Sequence, residues 1–80
     1  MPDFLLQHRH DPDECETAFA AWRPFDSPLR GRSAPSTCLA GGHRIWWRVE
    51  APDEAAALAL LPDFVAARTE AIPVREVEVP

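Results

Sequence analysis

Three histidines, two cysteines and a set of acidic residues are the groups with which this chain could do chemistry. His8 and His10 lie two apart in "QHRH", His43 opens "HRIWW", and the cysteines stand at 15 and 38. On a strand, residues i and i+2 share a face, so His8 and His10 can present two imidazoles to one metal ion. A pair is not yet a centre: a closed structural zinc site takes four ligands, and a catalytic one three plus water. With the topology argued below, Glu50 and Cys38 are the expected partners, giving His8, His10, Glu50 and Cys38 as the metal-ligating set. Imidazole combined with carboxylate or thiolate suits a divalent transition metal such as nickel, zinc or iron(II). Two other uses of the histidines stand beside this one. One is general acid–base work, since the unperturbed imidazole pKa lies near neutrality. The other is plain hydrogen bonding at the end of a sheet.

Several chemistries are excluded or unsupported. A net charge of −5 lacks the basic face that nucleic-acid binding needs, so no nucleic acid is expected as partner. No P-loop, GxGxxG, CxxC or Ser-His-Asp pattern occurs, and no nucleotide cofactor is expected. The apolar run in "MPDFLLQH" is too short to span a membrane and has no basic start. The expectation is a cytoplasmic protein with reduced thiols and no membrane association. All eight basic residues are arginine, which with the many alanines and prolines suggests a GC-rich bacterial coding sequence.

Eighty residues make one domain, 1–80, with a thin core that oligomerisation or a metal would supplement. "DFLLQHR" reads as a short strand stopped by "HDPDE". Asp11, Pro12 and Glu14 then give a capping-box-like helix start, and Cys15, Ala18, Phe19 and Trp22 fall on one apolar helix face. On that stripe Cys15 reads as a small buried thiol, and Cys38 as a packed strand residue. A Cys15–Cys38 disulfide, helix to sheet, is conceivable but disfavoured in a reducing compartment. Residues 24–36 carry three prolines, a glycine and three serines: a long loop that packs over something or recognises something. Its Arg30 and Arg32 could sit over an anionic ligand or simply be solvated.

"TCLAGGHRIWWRVEA" reads as two strands joined by a tight Gly41-Gly42 turn. "PDEAAALALL" is a helix with Pro52 at its start and Asp53 and Glu54 in its first turn; Pro62 ends it, and "DFVAART" gives a further turn or an extended lead-in. "IPVREVEV" alternates as a strand. A faint internal echo repeats "PDE" at residues 12–14 and 52–54.

Strand, helix, strand, strand, helix, strand is the ferredoxin-like order. It implies an α+β fold with a four-stranded antiparallel sheet in order 4-1-3-2 and both helices on one face. Trp46 and Trp47 then point to opposite faces. Trp22 and Trp47 join the core, while Trp46, with Arg44 and Arg48 beside it, is expected on the uncovered face as a ligand-binding or interface residue. Covering that face by a second copy makes a homodimer the expected state. A parallel run of the first and third strands is expected with it. His43 would then lie roughly 20 Å from His8 and His10, within reach only across a dimer, while Glu50 and Cys38 would lie near them.

By its element order, and by "FLLQHRH", "CLAGGHRIWWRVEA" and "LPDFVAARTEAIPVREVEV", the chain resembles the dimeric α/β-barrel superfamily of small ferredoxin-like bacterial proteins. That superfamily includes isomerases, cofactor-free monooxygenases and families of uncharacterised function, one of them nickel-binding. The resemblance implies a barrel dimer with a ligand between sheet and helices or between subunits. Three functions follow as expectations: a metal- or small-ligand-binding homodimer acting through the strand-end histidines; a small isomerase or monooxygenase-like enzyme with a histidine base and a Trp/Arg-lined pocket; or a ligand-free interaction module.

Overall fold

The computed structural model describes residues 1–80. Its centre is strand β1, Asp3–Arg9, whose alternation buries Phe4, Leu6 and His8 on one face and leaves Asp3, Leu5 and Gln7 half-covered on the other. Pro12–Glu14 form a 3-10 turn that leads into helix α1, Cys15–Ala21. The Glu14 carboxylate closes this start by accepting from the Asp11 N–H at 2.9 Å, and Pro12 lacks a donor where the first turn could not use one. Strand β2 is Arg44–Glu50; α2 is Glu54–Leu58, with Asp53 capping it by accepting from the Ala56 N–H at 2.8 Å. Pro62 separates α2 from α3, Asp63–Ala66, and strand β3, Thr69–Val74, closes the fold.

The sheet has three strands in the order β2-β1-β3, antiparallel throughout. The helices and the loop before β2 cover the face bearing Phe4 and Leu6, and the core forms between these layers from Phe4, Leu6, Val49, Ala57, Leu61 and Val65. Leu29 reaches it from the loop. The other face carries Leu5, Gln7, Trp46, Arg48 and Ile72 and has no layer on it.

This corrects the expected four-stranded ferredoxin-like sheet. The segment read as the second strand, around Cys38, is a 3-10 turn over Cys38–Ala40, and its strand-like pairing with the sheet is limited to a bridge between Ser36 and Ile45. Local hydrogen bonds outcompete the ladder there. Ser36 Oγ accepts from the Cys38 N–H at 3.1 Å, Thr37 O accepts from the N–H groups of Ala40 and Gly42, both at 2.9 Å, and Thr37 Oγ1 accepts from the Arg44 N–H at 3.1 Å. Leu39 is left fully exposed.

The direction of β2 also differs from expectation. In an antiparallel sheet of order 4-1-3-2 the first and third strands are neighbours and run antiparallel, so the expected parallel run is inconsistent with that order itself. The chain doubles back through residues 22–43, and β2 starts where β1 ends, with Arg9 opposite Arg44. The closing strand starts three residues before the predicted one and stops at Val74, because Val74 faces Asp3, the first residue of β1, and nothing lies beyond it to pair with. Val77 and Val79 are accordingly exposed.

Leu6 is fully buried at the middle of the core. Its truncation in Leu6→Ala is expected to lower the free energy of unfolding by about 2–5 kcal/mol in urea denaturation.

Candidate metal centre

At the end of the sheet where β1 stops and β2 begins, His10, Cys15, Cys38 and His43 converge. One donor atom from each lies within 4.8 Å of every other. Cys15 Sγ is 3.1 Å from His10 Nε2 and 2.9 Å from His43 Nδ1, and Cys38 Sγ is 4.0 Å from His10 Nε2. A tetrahedral zinc centre with ordinary Zn–S and Zn–N bonds has ligand–ligand edges of about 3.4–3.8 Å, so small side-chain rotations convert the cluster into that geometry. Both thiols are free.

Each ligand is placed by a separate device. His10 follows β1 directly, and its N–H donates to His43 O at 3.2 Å, so the β1–β2 pairing itself sets these two side by side. Cys15 is the first residue of α1, fixed by the Asp11–Glu14 cap. Cys38 and His43 bracket the Thr37 turn. Gly42 lies so close to the Thr37 side chain that a Cβ there would overlap Thr37 Oγ1 and Cβ, so the turn requires glycine. His43 has φ +53, a left-handed conformation that costs a non-glycine residue about 1–2 kcal/mol. Strain of this kind is commonly retained where a side chain is aimed at a functional site.

His8 stands behind the cluster. It is almost fully buried, and its Nε2 lies 2.9 Å from His10 Nδ1. On the far side its Nδ1 is 3.1 Å from Thr69 Oγ1, and the Thr69 hydroxyl donates to Val65 O at 2.6 Å. This chain of bonds assigns the tautomers. The Thr69 oxygen, having spent its proton on Val65, accepts from His8 Nδ1–H. Neutral His8 then accepts at Nε2 from His10 Nδ1–H, which leaves the lone pair of His10 Nε2 aimed at the two sulfurs. A ligating histidine whose other nitrogen is held by such a partner is the usual arrangement at protein metal sites.

The electrostatics favour neutral imidazoles. Burial, and then the neighbouring His10, lower the pKa of His8; burial, and then His43, lower that of His10. Burial and the adjacent Cys38 push the Cys15 thiol up. The protein alone therefore disfavours a thiolate at Cys15, and a divalent cation at this point would reverse that preference. Beside the cluster, Glu14 accepts from Arg68 Nε and Nη2 at 3.1 and 2.9 Å, tying the start of α1 to the end of α3. The Asp11 N–H and the Arg68 guanidinium hold the Glu14 carboxyl below its ordinary range.

Of the expected set, the structure brings His10 and Cys38 together and adds Cys15 and His43. His8 supports His10 and offers no donor atom to the cluster. Glu50 lies at the opposite end of β2, facing Asp3, about 20 Å away along the strand. Trp46, Arg44 and Arg48 occupy the face of the sheet opposite to His8. There Trp46 Nε1 donates to Gln7 Oε1 at 3.2 Å, and Arg48 is ion-paired with Asp3 at 2.9 Å and with Glu76. The missed signal was a matched spacing: His10 and Cys15 are five apart, as are Cys38 and His43. Each pair is a half-site, and the antiparallel register joins the two.

The chain matches no family model, no curated protein and no solved structure.

The lowered pKa values of His8 and His10 have a stability consequence for the metal-free protein. In the unfolded chain both imidazoles titrate near 6.5. Below that pH the unfolded chain binds protons that the folded one does not, so stability falls as pH decreases and levels off only below the folded-state values. The urea midpoint measured with chelator present is expected to drop between pH 7.5 and 5.5; a flat midpoint over that interval would contradict it.

Proposed function

We propose that this protein binds a transition metal ion, zinc in the first instance, through His10, Cys15, Cys38 and His43, and that the ion acts structurally. The observation that carries this reading is the mutual approach of four donor atoms to within 4.8 Å. A two-sulfur, two-nitrogen tetrahedron selects zinc over the harder ions that prefer oxygen. Two thiolates and two neutral imidazoles balance a dication without residual charge, which suits a half-buried position. With four protein ligands no position is left for a substrate, so the ion supplies cross-linking of its ligands.

That cross-linking has an evident use. Only 13 of the 80 residues are buried, and the ligands come from the turn after β1, the start of α1 and the turn before β2. An ion held by all three would join segments that otherwise meet through few bonds. Binding to the folded state alone stabilises it by about 4 kcal/mol when free metal exceeds Kd a thousandfold.

The test is native mass spectrometry of untagged protein with cobalt(II) and zinc titrations. Expected are one metal per chain, a mass increase of one metal less two protons, and the visible absorption of tetrahedral cobalt bound to thiolate. Both thiols should react slowly with a disulfide reagent until a chelator is added. Cys15→Ser and Cys38→Ser should each weaken metal uptake and diminish the thiolate–cobalt absorption, and Cys15→Ser/Cys38→Ser together should abolish it; a protein that takes up no metal, or takes it up unchanged in that double variant, refutes the site. His8→Gln is expected to weaken binding by about 10–100-fold while keeping the tetrahedral spectrum, as a partner to a ligand should.

A further inference from the structure

Between α1, the loop before β2 and the covered face of the sheet lies a cleft of about 310 Å³ that the metal centre does not use. Its floor is apolar: Trp22, Leu29, Ile45 and Trp47. The two indoles are 5.7 Å apart at 49°, a separation and tilt at which aromatic rings attract one another. Its rim is cationic, formed by Arg30 and Arg32.

Of the eight arginines only two bear ion pairs. Arg48 is neutralised by Asp3 and Glu76, and Arg68 by Glu14. Arg30 and Arg32 are among the six without a carboxylate partner, although the chain carries an excess of acids, and of those six they are the two that line this cleft. The backbone is shaped to hold them there. Gly31, at φ +77, lies in a turn in which Arg30 N donates to Ser27 O at 3.2 Å and Arg32 N to Leu29 O at 3.4 Å. Arg30 Nη1 also donates to Phe25 O at 3.3 Å, which orients the guanidinium and leaves its remaining N–H groups available.

We propose that this cleft binds a small aromatic carboxylate, its ring against Trp22 and Trp47 and its carboxylate on Arg30 and Arg32. Guanidinium is the side chain whose forked donors match a carboxylate. The volume sits at the lower end of the roughly 300–1,000 Å³ typical of small-molecule sites, enough for a one- or two-ring acid and too short for a peptide helix or strand. The site uses none of the metal ligands, although Phe19, on its wall, meets the His10 ring edge-on at 6.4 Å. It stands whether or not the cluster holds an ion.

The experiment is a titration of the full chain with 2-naphthoate followed by the three indole N–H signals in nitrogen–proton NMR. Trp46, on the other face of the sheet, is the internal control. Expected are saturable shifts of the Trp22 and Trp47 signals with Trp46 unmoved, at least tenfold weaker binding of the uncharged 2-naphthamide, and at least tenfold weaker naphthoate binding by Arg30→Gln/Arg32→Gln. That variant changes exposed loop positions, and an unaltered melting temperature would verify its fold. Equal affinity for acid and amide, unchanged binding by the double variant, or no shift at millimolar naphthoate overturns the proposal. So does a dimer by light scattering whose Trp22 and Trp47 signals move with protein concentration alone, which would mean that a second copy fills the cleft.

Discussion

The antiparallel pairing of β1 with β2 runs from Asp3 opposite Glu50 to Arg9 opposite Arg44, and one residue further the His10 N–H donates to His43 O. The clustering of ligands depends on that last bond. It closes the ladder with two histidines abreast, and each half-site then needs only a tight local turn to fold its cysteine onto the pair. On the β1 side the turn is the Asp11–Glu14 cap; on the β2 side it is the Thr37 hub with Gly42 pressed against it. A register slip of one residue would turn every side chain of β2 to the other face and carry Ile45, Trp47 and Val49 out of the core. The core and the cluster are thus specified together.

Burying two imidazoles in so small a protein calls for their polar atoms to be satisfied, and no buried side-chain nitrogen or oxygen lacks a partner. The chain Val65–Thr69–His8–His10 does this with every proton assigned to one direction, ending in a lone pair at His10 Nε2. The same bonds that satisfy buried groups therefore orient a ligand. Thr69 is opposite His8 in the β1–β3 register, so β3 takes part in the site without contributing a ligand.

Much of this was legible in the residues. The capping-box start at Asp11–Glu14, the Pro62 break, the opposite facing of Trp46 and Trp47, and the packing of Trp22 and Trp47 against the core follow from local pattern and are observed, while the second helix starts later than expected, at Glu54 with Asp53 as its cap. Alternation tells which residues share a face of a strand, and it does so regardless of which way a neighbouring strand runs. Strand direction follows from counting reversals: a helix crossover keeps the direction and a hairpin reverses it, so the expected strand, helix, strand, strand order already brings Arg44–Glu50 back antiparallel to β1. Placing β2 parallel to β1 sent His43 to the wrong end and brought Glu50 in as a ligand. Cys15 was misread for a different reason. On a helical wheel it belongs to the apolar stripe, and nothing in that periodicity separates a packed thiol from one at the helix start turned toward a neighbouring histidine.

The loop of residues 22–37 has an order that its composition alone does not impose. Ser27 Oγ donates to Leu60 O at 2.7 Å, Leu29 is inserted into the core, Trp46 N donates to Pro35 O at 3.0 Å and Thr37 N to Arg44 O at 2.9 Å. It is therefore pinned to α2's end, to the core and to β2. These pins shape the cluster and the cleft at once. The stretch that ends in Ser36 and Thr37 delivers Cys38 to the cluster, while the stretch from Leu29 to Arg32 forms one side of the cleft. Trp47 is shared as well: it packs on Trp22 at the cleft and lies 6.3 Å from the His8 ring behind the cluster. In a protein with so few buried residues the wall of one site is the scaffold of the other. A change in the packing of Trp47 will thus be felt at both.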